Sequence, residues 1–187
     1  SICIMRAEDK QAIGAVMLFR DVTDERKIAE QIHHYATFDQ LTGLVNRREF
    51  ELRLQHALES AKNEKSTHAL CYLDLDQFKI INDTCGHAAG DELLKQISRI
   101  LDDMTRETDF VGRMGGDEFL IIIAGADCVI SKNIAQKILD RLDEQYFDLS
   151  DEKSLRLNTS IGIVEYDGHP DYLRMLKSGD KALYEAK

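Results

Sequence analysis

Apolar residues in this chain switch spacing repeatedly, from every second position to every third or fourth, and the switches mark out the expected elements. Residues 1–6 and 13–19 read as two short strands around a polar turn over 7–11. So small a hairpin is marginal in water, which implies that it leans on neighbouring structure. Thr23 is the expected N-cap of a helix over 23–36, with Asp24 and Glu25 in the first turn, where the backbone dipole favours acids. Ile28, Ile32 and Tyr35 then recur at four- and three-residue spacing. That stripe suits either a short coiled-coil seam or a helix packed on its own domain, and spacing leaves both open.

Helix and strand periods alternate from there on. Asn46 is the expected cap of a helix reaching Lys62, with Phe50, Leu54 and Leu58 on one face. Residues 69–75 form a short apolar run ending in acids, a strand buried on both sides. The spacing predicts a helix over 88–104, with Leu93, Leu94, Ile97, Ile100 and Leu101 inward. Strands are predicted over 110–113, 118–124 and 155–166, and helices over 129–142 and 171–187. Strands mixed with helices, including a tight central hairpin, imply an α/β or α+β domain with a mixed sheet.

Composition narrows the function. The chain has 187 residues, 43% of them hydrophobic, enough for one sizeable core plus an appendage. It has no initiator methionine, and we read it as part of a longer protein. No apolar run is long enough for a membrane span, so no membrane insertion is expected in this segment. Lys and Arg number 24 against 34 Asp and Glu, a net charge of −10, which argues against a nucleic-acid binder. Any phosphate chemistry would then need a metal as mediator. Cys3, Cys71, Cys85 and Cys128 lack metal or disulfide spacing and read as reduced thiols of a cytoplasmic segment.

Two features point to chemistry. In Tyr72-Leu73-Asp74-Leu75-Asp76 an apolar strand runs into alternate carboxylates, and Asp74 and Asp76 share a strand face. Acids there are costly unless paired or metal-bound. The second feature is the hairpin tip Gly115-Gly116-Asp117-Glu118, whose glycines permit close approach of a polar ligand. If the hairpin pairs beside the 69–75 strand, Asp117 comes near Asp74. Oxygen ligands of this kind suit Mg²⁺, which takes one or two carboxylates plus substrate phosphates.

Gly115-Gly116-Asp117-Glu118-Phe119 spells the signature of GGDEF domains, the diguanylate cyclase family, and further blocks follow its order. They begin Asp39-Gln40-Leu41-Thr42-Gly43-Leu44, Asp74-Leu75-Asp76-Gln77-Phe78-Lys79 and Gly86-His87-Ala88-Ala89-Gly90-Asp91, and a last one closes the chain from Asp180 to Lys187. Over residues 39–187 the chain therefore resembles that family. The resemblance implies an α+β sandwich, a mostly antiparallel central sheet flanked by helices, similar to nucleotidyl cyclases and polymerase palms. It implies condensation of two GTP into cyclic di-GMP with loss of two pyrophosphates, in a homodimer. By position, Asp74, Asp117 and the Leu75 carbonyl would hold Mg²⁺ (or Mn²⁺), with Asp117 and Glu118 catalytic. Asn82 and Asp91 would read guanine. Lys79, Lys187, Gly115, Gly116 and the amides near Gln77 and Phe78 would contact the rest of the nucleotide.

Arg106-Glu107-Thr108-Asp109 resembles the family's product-binding inhibitory site, with Lys137 as a further basic partner. Residues 1–22 loosely resemble the exit of a PAS sensory domain, which makes 23–38 a signalling linker. Departures from the pattern are Gln77, Cys85 and Gly179, and none falls on a metal ligand or base contact. The alternative to a cyclase is a silent GTP- or cyclic-di-GMP-binding module of a larger signalling protein, for instance one with a phosphodiesterase domain beyond Lys187.

Overall fold

The computed structural model describes residues 2–6, 12–17, 19–64, 66–150, 153–166 and 172–186. The chain divides into two compact units, Ser1–His34 and Tyr35–Lys187. In the first, β1 (Ile2–Arg6) and β2 (Ala12–Met17) pair antiparallel with Ile2 opposite Met17, as the alternation predicts. The turn expected over 7–11 lies outside the described residues.

Helix α1 (Thr23–Thr37) begins in the first unit and ends in the second. Its start corrects one expectation. Thr23 is already helical, and Asp21 does the capping, its Oδ1 accepting the Thr23 amide at 2.9 Å. The Thr23 hydroxyl and amide hold the Asp21 carboxyl below its usual pKa. Ile28, Ile32 and Tyr35 are each more than half exposed.

The second unit continues through β3 (Val45–Asn46), α2 (Arg47–Glu64), β4 (His68–Leu75), α3 (Phe78–Cys85) and α4 (His87–Met104). Then come β5 (Phe110–Gly115), β6 (Glu118–Ile123), α5 (Cys128–Asp143), β7 (Phe147–Ser150), β8 (Lys153–Leu155), β9 (Thr159–Tyr166) and α6 (Tyr172–Ala186). Five strands form one sheet in the order β3-β5-β6-β4-β9, antiparallel except for the parallel β3–β5 pair. This is the expected mixed, mostly antiparallel sheet.

Strand β4 is buried on both faces, which explains its unbroken apolar run. Cys71, Leu73 and Leu75 pack with Leu93, Ile97 and Leu101 of α4 and Ile138 of α5. Leu70 and Tyr72 face the opposite layer, with Phe50, Leu54 and Leu58 of α2 and Met175 of α6. Each such side chain contributes about 1.5–3 kcal/mol on leaving water. Asn46 caps α2 as expected, accepting the Glu49 amide at 3.0 Å, and its own amide donates to the Ala36 carbonyl near the end of α1.

Two expectations fail in detail. The strand predicted over 155–166 is broken at 156–158, because Leu155 pairs with Phe147 in a separate hairpin and only 159–166 joins β4. Helix α3 was not predicted, since its eight residues are too few for a helical period to declare itself.

Candidate active site

Antiparallel register sets Asp74 of β4 directly opposite Glu118 of β6, one residue from Asp117. Opposed residues point to one face of a sheet, here the face that carries Tyr72 and Leu120. Asp74 and Asp117 are half-buried and Glu118 is exposed. Thus carboxylates 43 positions apart in sequence converge at one sheet end, because β4 and β6 are neighbours. Asp76 is engaged elsewhere. Its Oδ2 accepts from the Ser160 hydroxyl at 3.0 Å and its amide donates to the Asn158 carbonyl.

The turn between β5 and β6 needs its glycines, with φ of +137° at Gly115 and +55° at Gly116. Arg113 spans the turn, Nε and Nη2 both donating to the Gly116 carbonyl at 3.1 and 2.9 Å. Its Nη1 donates to Asp39 Oδ1 at 3.0 Å. Burial pushes the Asp39 carboxyl up, but the Thr42 hydroxyl and amide and the Arg113 guanidinium outweigh it and hold the pKa below its usual value. Sequence reasoning missed Arg113, and nothing in a single sequence links an arginine to an aspartate 74 positions away.

The nucleotide-reading candidates also meet. Gly90 of α4 lies so close to α3 that a Cβ there would stand 2.0 Å from Asn82 Oδ1 and 3.2 Å from the Phe78 ring. The glycine therefore seats half-buried Asn82 one residue from exposed Asp91. Gln77 precedes α3 with φ of 61° and its side chain makes no capping hydrogen bond, while its carbonyl accepts the Ile80 amide at 2.8 Å. Lys79 is exposed in that first turn, whereas the Leu75 and Phe78 side chains are buried and offer only backbone groups. Lys187 lies outside the described residues.

Arg106 and Asp109 form a closed turn. The Arg106 amide donates to Asp109 Oδ2 at 3.1 Å, the Asp109 amide donates to the Arg106 carbonyl, and Asp109 Oδ1 accepts the Ala124 amide. They line a cavity of about 390 Å³ with Phe38, Leu44, Val45 and Arg53. Arg53 pairs with Glu49 at 2.9 Å and lies over the Phe110 ring. Lys137 is exposed on α5 and is not among the residues lining the cavity. The departure at Gly179 has a packing reason, since a Cβ there would enter the Tyr72 ring at 1.9 Å. Buried Cys71 has its thiol pKa pushed up to about 12, by burial first and by the Asp109 charge, so it remains a thiol.

Among the described residues no group of three or more His, Cys, Asp or Glu side chains could hold a metal. Two half-buried carboxylates at the sheet end, Asp74 and Asp117, are donors of the kind a hard divalent cation takes when phosphate oxygens fill the rest of its shell.

A sequence profile of the family described as "Diguanylate cyclase, GGDEF domain" matches residues 36–187. The chain belongs to that family. Among curated GGDEF relatives, diguanylate cyclase DosC of Escherichia coli is 35% identical over 89% of this chain and 36% of its own length. Cyclic di-GMP phosphodiesterase PdeB of Shewanella oneidensis is 34% identical over the whole of this chain and 21% of its own length. The chain thus spans about a third or less of these relatives. The crystal structure of the coiled coil and GGDEF domain of DgcB from Caulobacter crescentus, in complex with c-di-GMP, matches with a TM-score of 0.81 at 26% identity. That match covers 87% of this chain and 86% of the DgcB chain. The mixed sheet flanked by helices is therefore the GGDEF fold. The family match leaves the PAS-like reading of residues 1–22 untouched.

Proposed function

We propose that this chain is the catalytic portion of a diguanylate cyclase, condensing two GTP into cyclic di-GMP and two pyrophosphates as a Mg²⁺-dependent homodimer. The observation that carries the proposal is the register that sets Asp74 opposite Glu118 and beside Asp117, next to the uncapped start of α3. Asp74, Asp117 and the Leu75 carbonyl would hold the metal, and a bound Mg²⁺ or Mn²⁺ would neutralise triphosphate charge and stabilise the departing pyrophosphate. The first amides of α3, with Lys79 and Lys187, hold phosphate oxygens. Asp91 accepts from the guanine N1–H and N2–H₂ edge and Asn82 meets the remaining polar atoms, partners that adenine would not supply. Gly115 and Gly116 admit the nucleotide close to the backbone. In each half-reaction the 3′-hydroxyl oxygen of one GTP bonds to the α-phosphorus of the other, and the bond to pyrophosphate breaks. Asp117, assisted by Glu118, takes the hydroxyl proton.

The exposed Ile28–Ile32–Tyr35 stripe suits pairing with a second copy, which would bring two half-sites together. Arg106 and Asp109, with Lys137, bind cyclic di-GMP as an inhibitor, the planar guanidinium meeting phosphate or guanine edges. The domain plan is a sensor remnant over 1–22, a signalling linker over 23–38 and the GGDEF domain over 39–187. Incubation with GTP and Mg²⁺ tests the reading. Cyclic di-GMP should accumulate, and Asp117→Ala should stop it while the protein stays folded. A second reading, a silent GTP- or cyclic-di-GMP-binding module, draws on the likeness to PdeB, which is named a phosphodiesterase. Tight GTP binding by the wild type without product, even at dimer-forming concentrations, would favour it.

A further inference from the structure

We propose that Arg113 is a positioning residue for the catalytic turn, and that Asp39 ties it to the end of helix α1, so that the state of the linker is read at Asp117. The inference rests on the reading of Asp117 as catalytic. Its geometry starts with the Gly116 carbonyl, which belongs to the peptide plane from which Asp117 springs. Pinning that oxygen fixes the plane and with it the origin of the Asp117 side chain.

No heavy atom comes within 4 Å of where a Cβ would sit at Gly115 or Gly116, and both glycines have backbone freedom that other residues lack. The Arg113 fork reaches into this open turn with two donors on one carbonyl oxygen and a third on Asp39. The Arg113 side chain is 12% exposed and the Asp39 side chain 25%, so water competes weakly for the charge-assisted bond between them.

Asp39 is itself held in place. Its Oδ1 accepts the Thr42 amide at 2.9 Å and the Thr42 hydroxyl at 2.7 Å, its amide donates to the Leu44 carbonyl, and its carbonyl accepts the Gly43 amide. It stands two residues beyond the last residue of α1, whose Ala36 carbonyl is bound by Asn46. A rotation or shift of the end of α1 therefore has a short covalent path to Asp39 and a polar path onward to the turn. Lysine in place of Arg113 keeps the charge but has no planar fork to span both partners.

Hydrogen exchange on the full chain, with steady-state kinetics beside it, tests the inference in Arg113→Lys, Arg113→Ala and Asp39→Asn. Exchange at the Gly116 and Asp117 amides should rise about tenfold or more in all three, while the Gly125 amide at the far end of β6 stays as in wild type and the melting temperature moves by a few degrees at most. The kcat for cyclic di-GMP should fall roughly 10- to 100-fold with KM for GTP nearly unchanged, the cost of a misplaced reacting group. Wild-type exchange at Gly116 and Asp117 in the Arg113 variants would overturn the proposal. A rise confined to those variants and absent in Asp39→Asn would overturn the link to α1. Loosening spread over the whole domain would reduce Arg113 to a structural residue and overturn the positioning role. A wild type that makes no cyclic di-GMP would sink the cyclase reading alone, and the exchange pattern would still decide this one.

Discussion

Strand β5 is preceded by one turn and followed by another, and the two are stabilised in opposite ways. The Arg106–Asp109 turn is closed by its own backbone and one carboxylate, which also reaches the Ala124 amide. The Gly115–Gly116 turn is bridged by Arg113, whose guanidinium donates to the Gly116 carbonyl. Arg113 is held in turn by an aspartate 74 positions earlier. A locally closed turn presents a ligand-binding surface whatever the rest of the chain does. A turn held from afar can be altered from afar.

Substitutions at the acids should break the comparison most severely. Asp74→Asn keeps the size of the side chain but removes a metal-directed charge, and product formation should fall by about 10²–10³-fold. Circular dichroism and thermal melting should stay near wild type, which separates chemistry from folding. Gly90→Ala comes next. Its methyl would meet Asn82 Oδ1 at 2.0 Å, so α3 and α4 must part or Asn82 must leave. Overpacking of this kind costs about 1–3 kcal/mol, read by urea titration, and KM for GTP should rise more than kcat falls.

The two residues of the locally closed turn should behave differently. Asp109→Ala strands the Arg106 and Ala124 amides and should cost about 1–3 kcal/mol of stability. Arg106→Ala contributes only its exposed side chain to the loss and should stay within about 0.5 kcal/mol of wild type. Both should abolish slowing by added cyclic di-GMP, seen in progress curves. The smallest expected effect is in pH. The folded-state pKa of Asp39 is lowered, so its stabilising contribution is present above the unfolded value of about 3.9 and fades as pH falls through the folded one. Asp39→Asn should therefore be less stable than wild type at pH 7, and the difference should shrink in acid, as denaturant midpoints would register.

Much of this was legible in the sequence because the decisive signals are local. Phe50, Leu54 and Leu58 declare one helix face, the run from Ala69 to Leu75 declares a doubly buried strand, and Asn46 declares a cap. The assumption that the central hairpin lies beside that strand holds, and the register sets Asp74 opposite Glu118, the residue after Asp117. What stayed hidden depends on distant partners. Gly90 reads as a helix breaker until Asn82 is seen against it, and Gly179 as an oddity until the Tyr72 ring fills the space. The break at 156–158 was invisible because apolar residues continue through it, Leu157 being buried although it belongs to neither strand. Arg113 and Asp39 carry opposite charges among many, and only the fold selects that pair.

The central claim is that acids from β4 and from the start of β6 share a divalent ion beside a guanosine nucleotide. Crystals grown with Mn²⁺ and a non-hydrolysable GTP analogue test it through the anomalous signal of the metal. The account predicts a peak bonded to both Asp74 and Asp117 and to phosphate oxygens of the nucleotide. A nucleotide bound between Asn82 and Asp91 with no metal at either aspartate would contradict it.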